Sequence, residues 1–161
     1  MPPRNVLAVA VATGKAGYVY LSDGKLYDWG ITVKATKSAE EIGQFVQTLI
    51  DNLKPDVLVT EKCDEHSRKG ANTRDLIQAI AATASHNHVY DIAVPRPRRF
   101  PSKYEEAEHL AERYSDIAGY LPKQKRRIFD FEPRGMIIFE ALALAEAVIH
   151  GPPEALAAAM G

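Results

Sequence analysis

Residues 6–11 form an unbroken apolar run, the pattern of a central strand covered on both faces. Residues 18–21 read as a second strand. Ser22-Asp23-Gly24-Lys25 supplies turn chemistry, and residues 26–33 return as a third. This predicts an antiparallel meander. Ser38 and Glu41 then make a capping box. Behind them Ile42, Phe45, Val46, Leu49, Ile50 and Leu53 fall on one helical face, and Lys54-Pro55-Asp56 stops the helix. Residues 57–61 form a short apolar strand, so the order helix then strand predicts a crossover into a parallel pair.

Asn72 or Thr73 can cap a second helix, with Leu76, Ile77, Ile80, Ala81 and Ala84 on one face. Residues 89–94 read as a fifth strand, and residues 95–101 break the pattern. Ser102 and Glu105 make another capping box, opening a helix to about Tyr114. A basic loop at 121–127 follows. Pro133 suits the first turn of a last helix, running to about His150. Residues 1–150 are expected to form one domain and residues 151–161 a flexible tail. Three antiparallel strands, helix, parallel strand, helix, fifth strand and helices is the order of the ribonuclease H-like α/β fold, a mixed five-stranded sheet flanked by helices. Order alone does not give a function.

The chain has 161 residues, enough for one core of its own. A formal charge of −1 does not mark it as a nucleic-acid binder, so such a role must come from local basic patches. Cys63 is the single cysteine, which excludes an internal disulfide and a cysteine-built zinc site. No apolar run reaches the roughly 18 residues of a membrane span. Met1-Pro2-Pro3-Arg4 does not read as a secretion signal. A cytoplasmic protein without membrane contact is expected.

Few residues stand out as chemistry. Glu61 ends an apolar strand and opens a polar loop, either as a carboxylate at the strand end where sites form or as a glutamate at the water boundary. Glu140 lies in MIIFEALALA, a helix apolar nearly all round and so expected to be buried. A carboxylate there needs an arginine partner, a proton or a metal. Glu132 sits eight residues earlier, about 12 Å along a helix axis, and reads as a helix-start residue. Asp130 is a weaker candidate still. Basic residues cluster as Arg68, Lys69 and Arg74; as Arg96, Arg98, Arg99 and Lys103; and as Lys123, Lys125, Arg126 and Arg127. The predicted elements bring all three clusters to one edge of the sheet, around an acidic centre suited to phosphate contacts. Tyr27 and Trp29 read as packing residues, and His66 as a polar loop residue near the site.

The chain resembles the RuvC-like branch of the ribonuclease H superfamily, the Holliday-junction endonucleases, as a divergent member. The stretches that carry the likeness are VLAVAVATGKAGYVYL, LYDWG, KPDVLVTE, HSRKGANTRDLIQAIA, SKYEEAEHLAERY and FEALALAEAV. The resemblance implies a magnesium-dependent endonuclease acting on branched or double-stranded DNA as a homodimer. It implies two Mg2+ ions held by carboxylates on the first strand, the fourth strand and the last helix. Glu61 matches the second position and Glu140 the last, where aspartate is usual. The first position falls on Ala10, and the further helix position falls on Ile137. Catalysis is thus expected of Glu61, Glu140 and whatever occupies position 10, with Glu61 and Glu140 as metal ligands. Phosphate binding is expected of Arg68, Lys69, Arg74, Arg98, Arg99 and Lys103. A methyl group cannot bridge two ions, so the resemblance implies an inactive or impaired nuclease. The alternative is a natural pseudo-nuclease that binds DNA or a protein partner.

Overall fold

The order of burial along the chain assembles one sheet between two helical layers. The computed structural model describes residues 4–63, 70–95, 100, 102–121 and 135–150. β1 (Asn5–Ala12) pairs antiparallel with β2 (Lys15–Ser22), and β2 with β3 (Lys25–Thr32). β4 (Val57–Glu61) lies parallel to β1 on its other side, and β5 (Tyr90–Val94) parallel to β4. The strand order is β3-β2-β1-β4-β5, the mixed five-stranded arrangement expected from the sequence. Asp23 (φ 52) and Gly24 (φ 78) are both left-handed, as the centre of a two-residue hairpin requires.

α1 (Ala39–Leu53) starts where the capping box predicts, with the Ser38 hydroxyl accepting from Glu41 N at 3.0 Å. α3 (Lys103–Arg113) starts the same way, Ser102 accepting from Glu105 N at 3.2 Å. α2 (Ala71–His86) corrects the expectation. Gly70 holds its N-cap position without a side-chain cap, and Thr73 is buried inside the first turn. A hydroxyl packed inward cannot reach back to the helix's opening amides.

β1 is covered on both faces. Leu7, Val9 and Val11, with Leu58 of β4, meet α1 and α2. Val6, Ala8 and Ala10, with Val57 and Val59, face α4 (Met136–Ile149) and α3. α4 is the central helix, with 11 of its 14 residues buried, which explains its lack of a polar face. Tyr27 corrects a second expectation: it is 63% exposed on the edge strand β3, while Trp29 packs against the α4-side core. No helix among the described residues is long and apolar enough to cross a membrane. Residues 151–161, expected as a tail, lie outside the described residues.

Candidate functional site

β1 and the parallel β4 finish at the same end of the sheet, where the antiparallel β2 begins and β3 ends. α2 opens its crossover from the end of β4, so its first turn belongs to that end too. This end is where ligands sit in open α/β sheets.

Ala10 is 5% exposed and pairs with Gly17 of β2. The β1–β4 ladder ends at Ala8 opposite Val59; Ala10 and Glu61 each lie two residues beyond that pair, at the same end of neighbouring strands and in the alternation of the α4 face. Glu61 is half-buried at the end of β4. A Cβ on Gly17 would stand 2.8 Å from Ile137 Cγ2 and 3.1 Å from the Ile137 carbonyl carbon. α4 therefore rests directly on the strand pair that carries Ala10, and Ile137 is fully buried there. Glu140 follows Ile137 by three residues, about one helical turn. It is half-buried, and Glu61 and Glu140 each make an interaction of their own.

Arg74 in the first turn of α2 and Lys103 at the start of α3 are both engaged in contacts. Arg68, Lys69, Arg96, Arg98, Arg99, Lys123, Lys125, Arg126 and Arg127 lie outside the described residues, as do His66, Asp130 and Glu132.

A pair of magnesium ions needs oxygen donors around each ion. The methyl of Ala10 and the butyl side chain of Ile137 offer none. Among the described residues no three His, Cys, Asp or Glu side chains group to hold a metal. The described donor set therefore does not fit a two-ion centre.

The buried carboxylate of α4 is Glu146, which sequence reasoning passed over, rather than Glu140. Glu146 is 4% exposed. It accepts from Tyr114 OH at 2.6 Å and from Arg113 Nη1 at 3.1 and 3.3 Å, and His150 Nε2 stands 3.5 Å away. Burial, then the bond to Glu146, raises the Tyr114 pKa well above the ordinary tyrosine value. Burial and the bond to Asp28 do the same for Tyr18. The only sequence trace of the Glu146 cluster is His150 four residues on.

No protein-family model and no curated protein matches the sequence. Solved structures do match. The Holliday junction resolvase of fowlpox virus aligns with a TM-score of 0.62 at 13% identity, over 92% of this chain and 99% of that one. RuvC of Thermus thermophilus, in complex with a Holliday junction substrate, aligns with a TM-score of 0.56 at 15% identity, over 88% and 90%. The yeast mitochondrial Holliday junction resolvase aligns with a TM-score of 0.55 at 12% identity, over 93% and 79%. The chain has a ribonuclease H-like fold. Within that class its strand order and helices are similar to those of the resolvase structures above.

Proposed function

We propose that this chain binds branched DNA, with the Holliday junction as its type, and that it is impaired as a magnesium-dependent endonuclease. The observation that carries the reading is position 10. A methyl group stands at position 10, at the same end of the sheet as Glu61, on a strand pair (Ala10 with Gly17) on which Ile137 is seated. The resolvase likeness in fold supports the DNA half of the reading. The missing donors support the catalytic half. Glu61 and Glu140 are the metal-facing acids of the proposal, able together to hold at most one ion weakly. The phosphate contacts are assigned to Arg68, Lys69, Arg74, Arg98, Arg99 and Lys103. A four-way junction has two-fold symmetry, which a homodimer matches. We place the protein in the cytoplasm.

Affinity for a four-way junction, measured against salt, tests the DNA half. A DNA binder loses affinity as a steep power of salt concentration. A flat response, or no binding, rules the reading out. Ala10→Asp tests the catalytic half, with magnesium-dependent cleavage of the junction as the expected gain. A second reading is a natural pseudo-nuclease acting through DNA binding or protein contact alone. The apolar, fully buried Ile137 favours it. Failure of Ala10→Asp to cut any of a range of branched substrates would establish that second reading over the first.

A further inference from the structure

Among the described residues the lysines are divided unequally between the two ends of the sheet. Lys25 opens β3 and Lys54 precedes β4, both at the end remote from Glu61. Lys15, Lys34, Lys37, Lys62 and Lys103 lie at the Glu61 end. Lys15, Lys34 and Lys37, like Lys62 next to Glu61 in the chain, belong to none of the clusters legible in the sequence. They make no ion pair among the described residues.

Lys34 and Lys37 are exposed side chains on an anchored stretch of backbone. They bound a 3-10 turn (Lys34–Lys37) whose inner residues Ala35 and Thr36 are buried. Thr36 Oγ1 donates to Val33 O at 2.7 Å, and Ala35 N donates to Thr32 Oγ1 at 3.2 Å. In a 3-10 turn residues i and i+3 eclipse, about 6 Å apart along the axis. Neighbouring phosphates of one DNA strand rise ~3.4 Å along the helix axis and also wind around it, so this separation suits about one phosphate step, one lysine to each of two adjacent phosphates. Lys15 opens β2 opposite Ala12, between the Glu61 position and the turn. From β4 across β1 and β2 to β3 is three strand spacings, about 14 Å. The acids nearest in sequence, Glu40 and Glu41, fall in the first turn of α1, where the helix N-terminus favours them.

We infer that Lys15, Lys34 and Lys37 form a phosphate track that leads one DNA arm from the Glu61 end across β2 to the edge of β3. The inference rests on the reading of this chain as a branched-DNA binder and adds an interface on the β3 side to it. Each lysine contacting a phosphate adds about one unit to the slope of log affinity against log salt.

The test compares Lys34→Ala/Lys37→Ala with the charge-matched pair Lys25→Ala/Lys54→Asn, binding a synthetic four-way junction over a salt series. Asparagine suits the left-handed backbone of Lys54 (φ 50). The track predicts a slope shallower by about 2 for the first pair, a loss of affinity about 16-fold smaller between 50 and 200 mM salt. Adding Lys15→Ala lowers it by about one more. The control pair keeps the slope of the unsubstituted protein. A steep, unchanged slope for Lys34→Ala/Lys37→Ala overturns the track and leaves DNA binding standing. An equal loss in the control pair also overturns it, because the effect would then be one of net charge. If the unsubstituted protein shows no salt-dependent junction binding, the parent reading and the track fall together.

Discussion

Position 10 is where one side chain separates the possible chemistries. It faces α4 from the end of β1 next to the end of β4, so an aspartate introduced there comes near the Glu61 carboxylate on the neighbouring strand. Burying an ionised group against a like charge is unfavourable by several kcal/mol. Ala10→Asp is therefore expected to lower the unfolding temperature in metal-free buffer. Millimolar magnesium should then restore part of the loss. A ligand at 100 times its Kd stabilises by about 2.7 kcal/mol. The unsubstituted protein should show little magnesium response. Thermal unfolding with and without Mg2+ measures both. A variant destabilised equally in the two buffers would mean that no cation site forms around position 10. At this scale the sequence exposes some residues and hides others. Glu61 is legible because it terminates an apolar strand. Ala10 is legible only through the resemblance, since an alanine in an apolar run carries no signal of its own. Glu146 is hidden because α4 is apolar nearly all round and gives no facing direction. Its partners Arg113 and Tyr114 lie 33 and 32 residues away in the chain.

Elements were most legible where local chemistry decides them. Ser38 and Ser102 cap because a hydroxyl three residues before a backbone amide is a local arrangement. The start of α2 is not legible in the sequence, because Gly70 caps without a side chain and leaves no signature. The 3-10 turn Lys34–Lys37 leaves no trace in the sequence, because four residues are too short for any period to show. The seating of α4 depends on a contact between distant elements. Gly17 lets the backbone of Ile137 approach β2, with its carbonyl carbon and oxygen each 3.1 Å from the place of a Cβ. Valine is ordinarily favoured in a strand. Gly17→Val is nonetheless expected to destabilise by about 1–3 kcal/mol, the usual range for overpacking a filled core. Adding Ile137→Ala should not restore stability, because it relieves only the contact with Cγ2 and itself empties a fully buried position, at about 2–5 kcal/mol. Urea unfolding of both variants measures the effect. Unchanged stability in Gly17→Val would contradict this seating.

At the scale of the molecule, the sheet was legible because each strand's burial pattern is set by its own position. A central strand shows an unbroken apolar run, and the edge strand β3 shows a mixed pattern. The division of labour between the two ends was not legible, because it exists only after β1 and β4 are laid parallel. One end gathers Ala10, Glu61 and the starts of α2 and α3. The other ties α3 to the end of α4 through Glu146, Arg113, Tyr114 and His150. If the first end meets DNA and the second holds helices together, two glutamates must respond in opposite ways. Glu146→Gln removes the charge that the half-exposed Arg113 answers and weakens a buried hydrogen-bond acceptor. It is expected to cost about 1–3 kcal/mol of stability and to leave junction affinity unchanged. Glu61→Gln, at a half-buried strand end, keeps a hydrogen-bonding side chain there and should cost less stability than Glu146→Gln, no more than about 1 kcal/mol. It should tighten junction binding a few-fold in metal-free buffer at low salt, because a carboxylate facing phosphates repels them and salt screens that repulsion. Unfolding midpoints and junction titrations on the same two proteins decide the matter. Tighter binding from Glu146→Gln, or weaker binding from a stable Glu61→Gln, would mean that the DNA lies against the other end of the sheet.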